Sequence, residues 1–280
     1  MGAPQTDVLS IEEIAVDDSE DLGSIALVTI NRADKLNALN AEVMSSLKDM
    51  AEWVEQTDNI RVVVITGAQP NEPEQGKRAK PNAFVAGADI TEFVGKKSDD
   101  IREMFTDNAV EALWNISKPT IAMVDGFALG GGCEVACSCD IRIASDRSRF
   151  GTPEINLGLI PGYGATQRLV NLLGYGKTME MIMTGEMIDS ADALKWGLVN
   201  HVVEPEQLYQ FTMNIAKIIG GKSTHTLKVA KKTIRAALST GLEQGVAIEA
   251  EAFASLFDSE DKEIGVSAFI GRHRAKWQHK

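Results

Sequence analysis

Two glutamates in this chain each stand beside a glycine-rich turn, and each follows an apolar segment that is typical of a strand. Glu134 comes just after the three glycines 130–132, and Glu154 follows Gly151 and Pro153. Two carboxyl groups can divide the work of general acid and general base when their surroundings separate their pKa values. One such glutamate alone is better explained as a helix cap or a surface residue. The pair indicates acid–base chemistry.

Two backbone N–H groups near these turns are candidates for an oxyanion hole. In AFVAGADI (83–90) the apolar strand pattern breaks at Gly87, which can free the N–H of Ala88 from a strand ladder. The triple-glycine turn offers a second N–H at the beginning of a predicted helix, where the helix dipole also favours negative charge. Two structural alternatives stay open, namely a β-bulge at Gly87 and tight helix–sheet packing at the three glycines.

Other kinds of site find no support in the residues around these turns. The glycines are not followed by the lysine and hydroxyl residue of a P-loop, because Cys133 and Glu134 occupy those places. The chain has no GxSxG segment, and no histidine lies near Cys133, Cys137 or Cys139 in the sequence. The same separation leaves no zinc-ligand spacing, so we expect buried free thiols and no metal site.

The overall composition narrows the functional class further. The 280-residue chain has 44% apolar and 24% charged residues and a net charge of −12. These values exclude a disordered or collagen-like chain, and a field of this sign repels phosphate backbones, so no nucleic-acid partner is expected. No segment approaches the roughly 20 apolar residues of a transmembrane helix, and the first ten residues do not resemble a signal peptide. We therefore expect a cytoplasmic protein that does not bind a membrane.

Alternating apolar strands and amphipathic helices must position the candidate residues. SIALVTI (24–30) and RVVVITG (61–67) are predicted strands, and a helix is predicted over 40–56 between them. A strand–helix–strand order favours a parallel sheet with right-handed crossovers. Further strands are predicted over 83–90, 119–126, 140–145 and 198–203.

Helices dominate the remainder of the pattern. One is predicted over 99–116 and another begins at the triple glycine, while the polar segment 68–82, with three prolines, is predicted as a surface loop. We expect a core of residues 1–205 that holds the site and a helical oligomerisation region of residues 206–280. The helices predicted in that second region cover 206–219, 223–239, 242–257 and 259–271.

Several segments together resemble the crotonase superfamily, and in particular its enoyl-CoA hydratases. The likeness runs from about Ile25 to Trp277, and its motifs occur in family order. It implies an α/β fold, a crotonase-like spiral of ββα/βαβ turns with a C-terminal helical trimerisation region, assembled as a homohexamer of two trimers. The segments that carry the resemblance are NRADKLNAL (31–39), FVAGADI (84–90), DGFALGGGCE (125–134), FGTPEINLGLIPGYGATQRL (150–169) and ADALKWGLVNHVV (191–203).

The same resemblance implies roles for individual residues. Ala88 and Gly131 match the backbone oxyanion hole for a thioester carbonyl, and Glu134 and Glu154 match the two catalytic carboxylates. Lys276 resembles a basic residue that reaches the CoA phosphate of a neighbouring subunit. The other residues that match the CoA site are Lys35, Leu36, Ala86, Ala88, Asp89 and Ile90.

These roles imply reversible hydration of a 2-enoyl-CoA, with CoA as part of the substrate and no metal or redox cofactor. A low aromatic content favours short acyl chains, such as crotonyl-CoA or acrylyl-CoA, although the loop 68–82 is longer than usual in the family and can alter the pocket rim. An enoyl-CoA isomerase or another crotonase-type lyase stays open, because it needs only one of the two glutamates. A non-catalytic RNA-binding member of the fold conflicts with the acidic composition, and glycoside hydrolysis gives the oxyanion donors no role.

Overall fold

The computed structural model describes residues 2–17, 22–72 and 79–280, with the side chain of Glu103 outside that description. The strands in these residues are β1 (Leu9–Ala15), β2 (Ser24–Ile30), β3 (Ile60–Gly67), β4 (Ala83–Val85), β5 (Thr120–Val124), β6 (Phe127–Leu129), β7 (Ile141–Ser145), β8 (Arg149–Gly151), β9 (Ile188–Asp189) and β10 (His201–Val203). The α-helices are α1 (Ala41–Gln56), α2 (Ser98–Phe105), α3 (Ala109–Asn115), α4 (Gly131–Ser138), α5 (Ala165–Leu173), α6 (Tyr175–Thr184), α7 (Ser190–Lys195), α8 (Pro205–Gly220), α9 (Thr224–Ala236), α10 (Leu242–Ser255) and α11 (Glu260–Gly271). The 3-10 helices are Ala33–Lys35, Ile90–Phe93, Pro153–Leu157 and Leu256–Asp258.

The strands form two sheets that the chain visits in turn. The larger sheet has the order β1-β2-β3-β5-β7-β10, and the smaller one has the order β4-β6-β8-β9. In the larger sheet β1 pairs antiparallel with β2, and all other pairs are parallel. From β3 to β8 successive strands of the chain join the larger and the smaller sheet alternately, after which β9 joins the smaller sheet and β10 the larger one. This arrangement confirms the α/β spiral that the sequence predicts.

The larger sheet is buried on both faces, because its central strands are nearly continuous apolar runs. In β3, Val62 and Val64 belong to a buried cluster that includes Met213 of α8. The alternate residues Val63 and Ile65 face the opposite side, in the cluster that includes the buried face of α1. Burial of each such side chain contributes about 1.5–3 kcal/mol relative to exposure. The sheet is therefore held from both sides and gives the spiral a rigid centre.

The carboxyl end of α1 is closed by a buried lysine. Lys118 Nζ donates hydrogen bonds of 2.6 Å to the carbonyl oxygens of Val54 and Thr57. The lysine is 1% exposed, and burial lowers its pKa to about 8. Because Lys118 lies just before β5, these bonds join the end of α1 to the beginning of that strand.

The first difference from the sequence prediction lies beside the candidate site. The strand predicted over 83–90 ends at Val85, and Gly87 has a φ of +114°, which turns the chain away from the sheet. Such a φ lies in a region that L side chains rarely adopt, so glycine is the residue that fits this turn. The residues after it form a 3-10 helix, Ile90–Phe93, where the prediction had the end of a strand.

Other differences concern breaks and short strands. The helix predicted over 99–116 is two helices, because Asp107 has a φ of +57° and the Asn108 side chain caps the beginning of α3. Strands β6 and β8 were not predicted, since three residues are too few to show a period. Strand β1 was not predicted either. Only one face of this edge strand is buried, and its buried side chains are Leu9 and Ile11.

The structure describes only part of the loop predicted over 68–82. Residues 73–78 of the loop predicted over 68–82 lie outside the described residues, so its effect on the pocket rim stays a prediction. All four helices predicted after residue 205 are confirmed, and α8 packs on the larger sheet. The division into a core and an oligomerisation region stays a prediction. Helices α9 to α11 expose several large apolar side chains, among them Ile234, Leu242, Phe253, Phe269 and Ile270.

No helix in the part of the chain that the structure describes combines the length and the apolar character needed to cross a membrane.

Candidate active site

Glu134 lies in the first turn of α4 and is 1% exposed. Its Oε1 accepts hydrogen bonds from the backbone N–H groups of Tyr163, at 2.7 Å, and Ala165, at 3.0 Å. Burial raises the pKa of Glu134 to about 7, the nearby charge of Glu154 raises it as well, and the two backbone hydrogen bonds oppose the rise. A carboxyl with a pKa near neutrality can either donate or accept a proton at modest cost.

Three glycines let α4 begin close to the neighbouring strands. A Cβ at Gly132 would lie 2.0 Å from the carbonyl oxygen of Val85, so α4 can pack on β4 only with glycine at that position. Gly130 has a φ of +50° and donates a 2.9 Å hydrogen bond to the Gly151 carbonyl. The glycines thus serve the tight packing that the sequence left open as an alternative, and by doing so they bring Glu134 beside β4 and β8.

Glu154 lies in the first turn of the 3-10 helix Pro153–Leu157. A Cβ on Gly130 would be only 2.7 Å from Glu154 Oε1, so this carboxyl lies directly against the turn that precedes Glu134. Burial raises the pKa of Glu154. Its Oε2 is buried and has no hydrogen-bond partner among the described residues. The two glutamates predicted from the sequence therefore lie on either side of the same glycine turn.

The N–H groups of Ala88 and Gly131 lie next to each other. In the parallel bridge between Leu39 and Ala88, Leu39 N donates to Gly87 O at 2.9 Å and Asp89 N donates to Leu39 O at 2.7 Å. This pattern leaves the Ala88 N–H free of the bridge. Gly131 is the first residue of α4, where an N–H has no acceptor within the helix. A Cβ on Gly131 would be 3.7 Å from Ala88 N, so the two residues that carry these donors are in van der Waals contact.

Asn37 and Arg32 hold the segment that carries Ala88, and the sequence reasoning did not identify either residue. Buried Asn37 donates from Nδ2 to the carbonyl oxygens of Ala68 and Ala83, at 3.0 and 2.7 Å. Arg32 N donates to Asn37 Oδ1, and its guanidinium forms a 3.2 Å ion pair with Asp89. These contacts join residues far apart in the chain, so no local pattern reveals them. Asn37, the second of the two asparagines in NRADKLNAL (31–39), was the available signal.

The remaining candidates for the CoA site fall into two groups. Leu36 O accepts a 3.0 Å hydrogen bond from Ala86 N, so the segments 31–39 and 84–90 adjoin. Hydrogen bonds from Thr91 and Arg32 lower the pKa of Asp89, whose carboxylate is therefore engaged by both segments. Two further candidates are exposed and free to meet a ligand, namely Lys35 and Ile90.

Lys276 lies apart from this group. It is exposed and lines a shallow cleft with Glu263 and Ser267 of α11, and neither of these residues belongs to the glutamate site. The tail around it is fixed to its own chain, because Trp277 Nε1 donates to Gly221 O at 2.9 Å. A role of Lys276 toward a neighbouring subunit stays a prediction.

The loop that holds Glu134 is supported by Arg168, a third residue to which the sequence reasoning gave no role of its own. Arg168 Nη1 donates to Tyr163 O at 2.6 Å, and Nη2 pairs with Glu111 at the same distance. The ring of Tyr163 stacks on Phe105 with centroids 4.3 Å apart. Because Tyr163 N is one of the two donors to Glu134, these contacts fix the position of the Glu134 carboxyl.

The cysteines and acidic residues show no metal-ligand arrangement. Cys133, Cys137 and Cys139 are buried free thiols, as the sequence predicts. Within residues 2–17, 22–72 and 79–280, no group of three or more histidine, cysteine or acidic side chains is placed to hold a metal ion.

Comparison with known proteins finds relatives over nearly the whole length of this chain. The family model described as enoyl-CoA hydratase/isomerase matches residues 20–280. A short-chain-enoyl-CoA hydratase of Clostridium acetobutylicum is 39% identical over 254 residues, which cover 90% of this chain and 93% of that protein. A crotonyl-CoA hydratase of Syntrophomonas wolfei is 34% identical over 271 residues, which cover 96% and 99%. The crystal structure of an enoyl-CoA hydratase subunit from Geobacillus kaustophilus superposes with a TM-score of 0.86 at 32% identity and covers 98% of both chains.

Proposed function

Because this chain belongs to the enoyl-CoA hydratase/isomerase family, we propose that it catalyses the reversible hydration of short-chain 2-enoyl-CoA thioesters to 3-hydroxyacyl-CoA. It is an enzyme of the enoyl-CoA hydratase type, a hydro-lyase. The preference for short chains is supported by the names of two relatives, a short-chain-enoyl-CoA hydratase and a crotonyl-CoA hydratase.

The oxyanion hole is the first part of the proposed mechanism. The thioester carbonyl oxygen binds between the N–H groups of Ala88 and Gly131, two residues in van der Waals contact whose N–H groups have no acceptor in the bridge or in α4. When water adds to C3, negative charge develops on this oxygen. Two fixed backbone donors stabilise that charge without having to reorganise, and this is usually among the largest contributions to catalysis.

The two carboxyl groups supply the proton transfers. One glutamate takes a proton from the water that attacks C3, and the other delivers a proton to C2, so that H and OH add across the double bond. The observation that carries the proposal is that Glu154 lies against Gly130 while Glu134 lies in the first turn of α4, which begins at Gly131, close enough for the charge of Glu154 to raise its pKa. Both pKa values are raised by burial, which brings the carboxyls closer to the range useful for transfer near neutral pH.

Binding of the CoA portion and assembly complete the proposal. Lys35, Leu36 and the segment 86–90 contact the CoA moiety, and Lys276 contacts a CoA phosphate bound to a neighbouring subunit of a homohexamer. The apolar side chains exposed on α9 to α11 support burial of these helices in such an assembly, because large exposed apolar patches mark interaction surfaces. The cytoplasmic location and the lack of a nucleic-acid partner stay predictions from the sequence.

An absorbance assay tests the function directly. The enoyl-thioester absorbance of crotonyl-CoA should fall when the protein is added, and 3-hydroxybutyryl-CoA should form. The same enzyme should dehydrate 3-hydroxybutyryl-CoA. If crotonyl-CoA is unchanged and a 3-enoyl-CoA is converted to its 2-enoyl isomer, the protein is an isomerase and the proposed hydration is wrong.

A further inference from the structure

Two buried side-chain oxygens at the candidate site, Thr152 Oγ1 and Glu154 Oε2, have no hydrogen-bond partner among the described residues. Buried polar groups are nearly always hydrogen-bonded, to the protein or to an ordered water, because an unpaired one loses its hydration without compensation. These two atoms belong to residues separated by Pro153 alone. A shared partner accounts for both.

Thr152 stands at a position where its hydroxyl would normally have a local role. It is the residue before the 3-10 helix Pro153–Leu157, and threonine at such a place usually accepts a hydrogen bond from an N–H of the first turn. The Thr152 side chain makes no such bond, although it is fully buried. The hydroxyl is therefore available for a partner outside its own helix.

Thr152 and Glu154 lie against the same part of the fold. Gly151, the neighbour of Thr152, accepts a 2.9 Å hydrogen bond from Gly130 N. Glu154 Oε1 contacts Gly130 as well, so its second oxygen, Oε2, is the one left to be held. The chain thus brings an unpaired hydroxyl and an unpaired carboxyl oxygen to the beginning of α4.

We propose that Thr152 is a positioning residue for Glu154, and that its hydroxyl and Glu154 Oε2 bind one buried water molecule that fixes the carboxyl. The effect of Thr152 on hydration of the substrate rests on the proposed function, whereas the two hydrogen bonds to the water do not depend on it. A water that donates to Oε2 stabilises the charged carboxylate and so opposes the rise in pKa that burial causes. Thr152 therefore sets both the direction of the Glu154 carboxyl and its readiness to lose a proton.

The test compares Thr152→Val, which removes the hydroxyl and keeps the side-chain shape, with Thr152→Ser, which keeps the hydroxyl. The pKa of Glu154 is measured by NMR titration of ¹³C-labelled carboxyl groups, with the signal assigned by its loss in Glu154→Gln. In Thr152→Val the pKa should rise by about one unit, the size of a tenfold change in the proton equilibrium. Thr152→Ser should titrate like the wild type.

Hydration of crotonyl-CoA gives the second readout. In Thr152→Val we expect kcat to fall by about tenfold with little change in KM, and the pH dependence of kcat to shift with the Glu154 pKa. Thr152→Ser should restore both. Thr152→Ala supplies the same measurements if the valine variant does not fold.

Thr212→Val is the matched control. Thr212 Oγ1 is also buried without a partner among the described residues, but it lies in α8, which packs on the larger sheet away from both glutamates. Removal of this hydroxyl should change neither the Glu154 pKa nor kcat. It separates the loss of any buried hydroxyl from the loss of this one.

The proposal is overturned if the Glu154 pKa is the same in Thr152→Val and the wild type, or if Thr152→Ser behaves like Thr152→Val. A higher melting temperature of Thr152→Val with an unchanged Glu154 pKa would also overturn it, because the hydroxyl would then have had no partner to lose. A wild type that does not hydrate crotonyl-CoA contradicts the proposed function instead, and the NMR titration still decides the role of Thr152.

Discussion

The two carboxyl groups of the site are held in different ways. Glu134 lies on a regular helix, and its Oε1 accepts two backbone hydrogen bonds from a loop that Arg168 supports. Glu154 lies on a short 3-10 helix, where one oxygen contacts Gly130 and the other has no partner among the described residues. Glu134 is buried and is held by hydrogen bonds from a separate loop, whereas Glu154 is half-buried and is held by its own backbone N–H.

This difference shows how one chain can give two identical side chains different tasks. Burial raises both pKa values, and backbone hydrogen bonds moderate the rise at both, from Ala165 and Tyr163 at Glu134 and from the residue's own N–H at Glu154. The position and the pKa of the Glu154 carboxyl depend on the packing around it and on the group that binds at Oε2. We therefore expect Glu134 to resist small changes nearby and Glu154 to respond to them.

Removal of either charge should have the largest effect. Glu134→Gln and Glu154→Gln should each reduce kcat for hydration of crotonyl-CoA by about 100 to 10,000-fold, the usual loss when a general acid or base is removed. Circular dichroism should show an unchanged fold in both variants. Near-full activity of either variant would contradict the two-glutamate mechanism and favour the isomerase interpretation.

The raised pKa of Glu134 should be visible in the pH dependence of stability. A folded-state pKa of about 7, above the value of 4.5 for an unperturbed glutamate, makes the protonated carboxyl the favoured form in the folded protein. The contribution of Glu134 to the free energy of unfolding is therefore complete below about pH 4.5 and is lost as the pH rises through 7, by roughly 3 kcal/mol. The measurement is the free energy of unfolding in urea, for the wild type and Glu134→Gln, at several pH values between about 4 and 8. If this free energy depends on pH equally in both proteins, Glu134 does not titrate in that range.

A methyl group at Gly130 should disturb Glu154 more than Glu134. In Gly130→Ala the new Cβ would lie 2.7 Å from Glu154 Oε1, at a residue whose φ is +50°. A shift of the carboxyl by about 1 Å can cost on the order of 100-fold in rate. The NMR titration should show a changed pKa for Glu154 and a nearly unchanged pKa for Glu134. Gly176→Ala, with no atom within 4 Å of the new Cβ, is the control and should keep the wild-type rate.

Removal of Lys276, which lies away from both glutamates, should have the smallest effect on activity and should leave the pKa values of both glutamates unchanged. Lys276→Ala should lower kcat/KM for crotonyl-CoA by about 10-fold, since a charge-assisted contact to phosphate is worth about 1.5–3 kcal/mol and solvent weakens it at this exposed side chain. Crotonyl-pantetheine, which lacks the nucleotide phosphates, should be turned over at an unchanged rate. Lys280→Ala is the control. Equal losses on both substrates would assign Lys276 to folding or assembly.

The sequence was sufficient where function depends on local chemistry. Glycines beside Glu134 and Glu154, and the break at Gly87, predicted the turns that the structure contains, and resemblance supplied the pairing of Ala88 with Gly131. The strand–helix–strand order predicted the parallel sheet correctly. These features are visible because turn residues and apolar periods are properties of neighbouring positions.

Long-range support could not be predicted in the same way. Asn37 reaches Ala83 across 46 residues, and Arg168 reaches Glu111 across 57. Nothing near Asn37 or Arg168 in the sequence indicates which distant carbonyl or carboxyl each will meet. Thr152 was missed for a different reason. Its position before the 3-10 helix suggests a cap, and only the structure shows that its side chain makes no capping hydrogen bond and is left for the role proposed above.

The lysine that closes α1 has a consequence for the order of folding. Lys118 lies 64 residues from Val54, and the segment between them contains β3, β4, α2 and α3. A contact of this span requires a long loop to be closed, so it forms after the local elements around it have formed. Interactions that are absent from the folding transition state act mainly on the rate of unfolding. We therefore expect removal of the Lys118 hydrogen bonds to change the rate of unfolding more than the rate of folding.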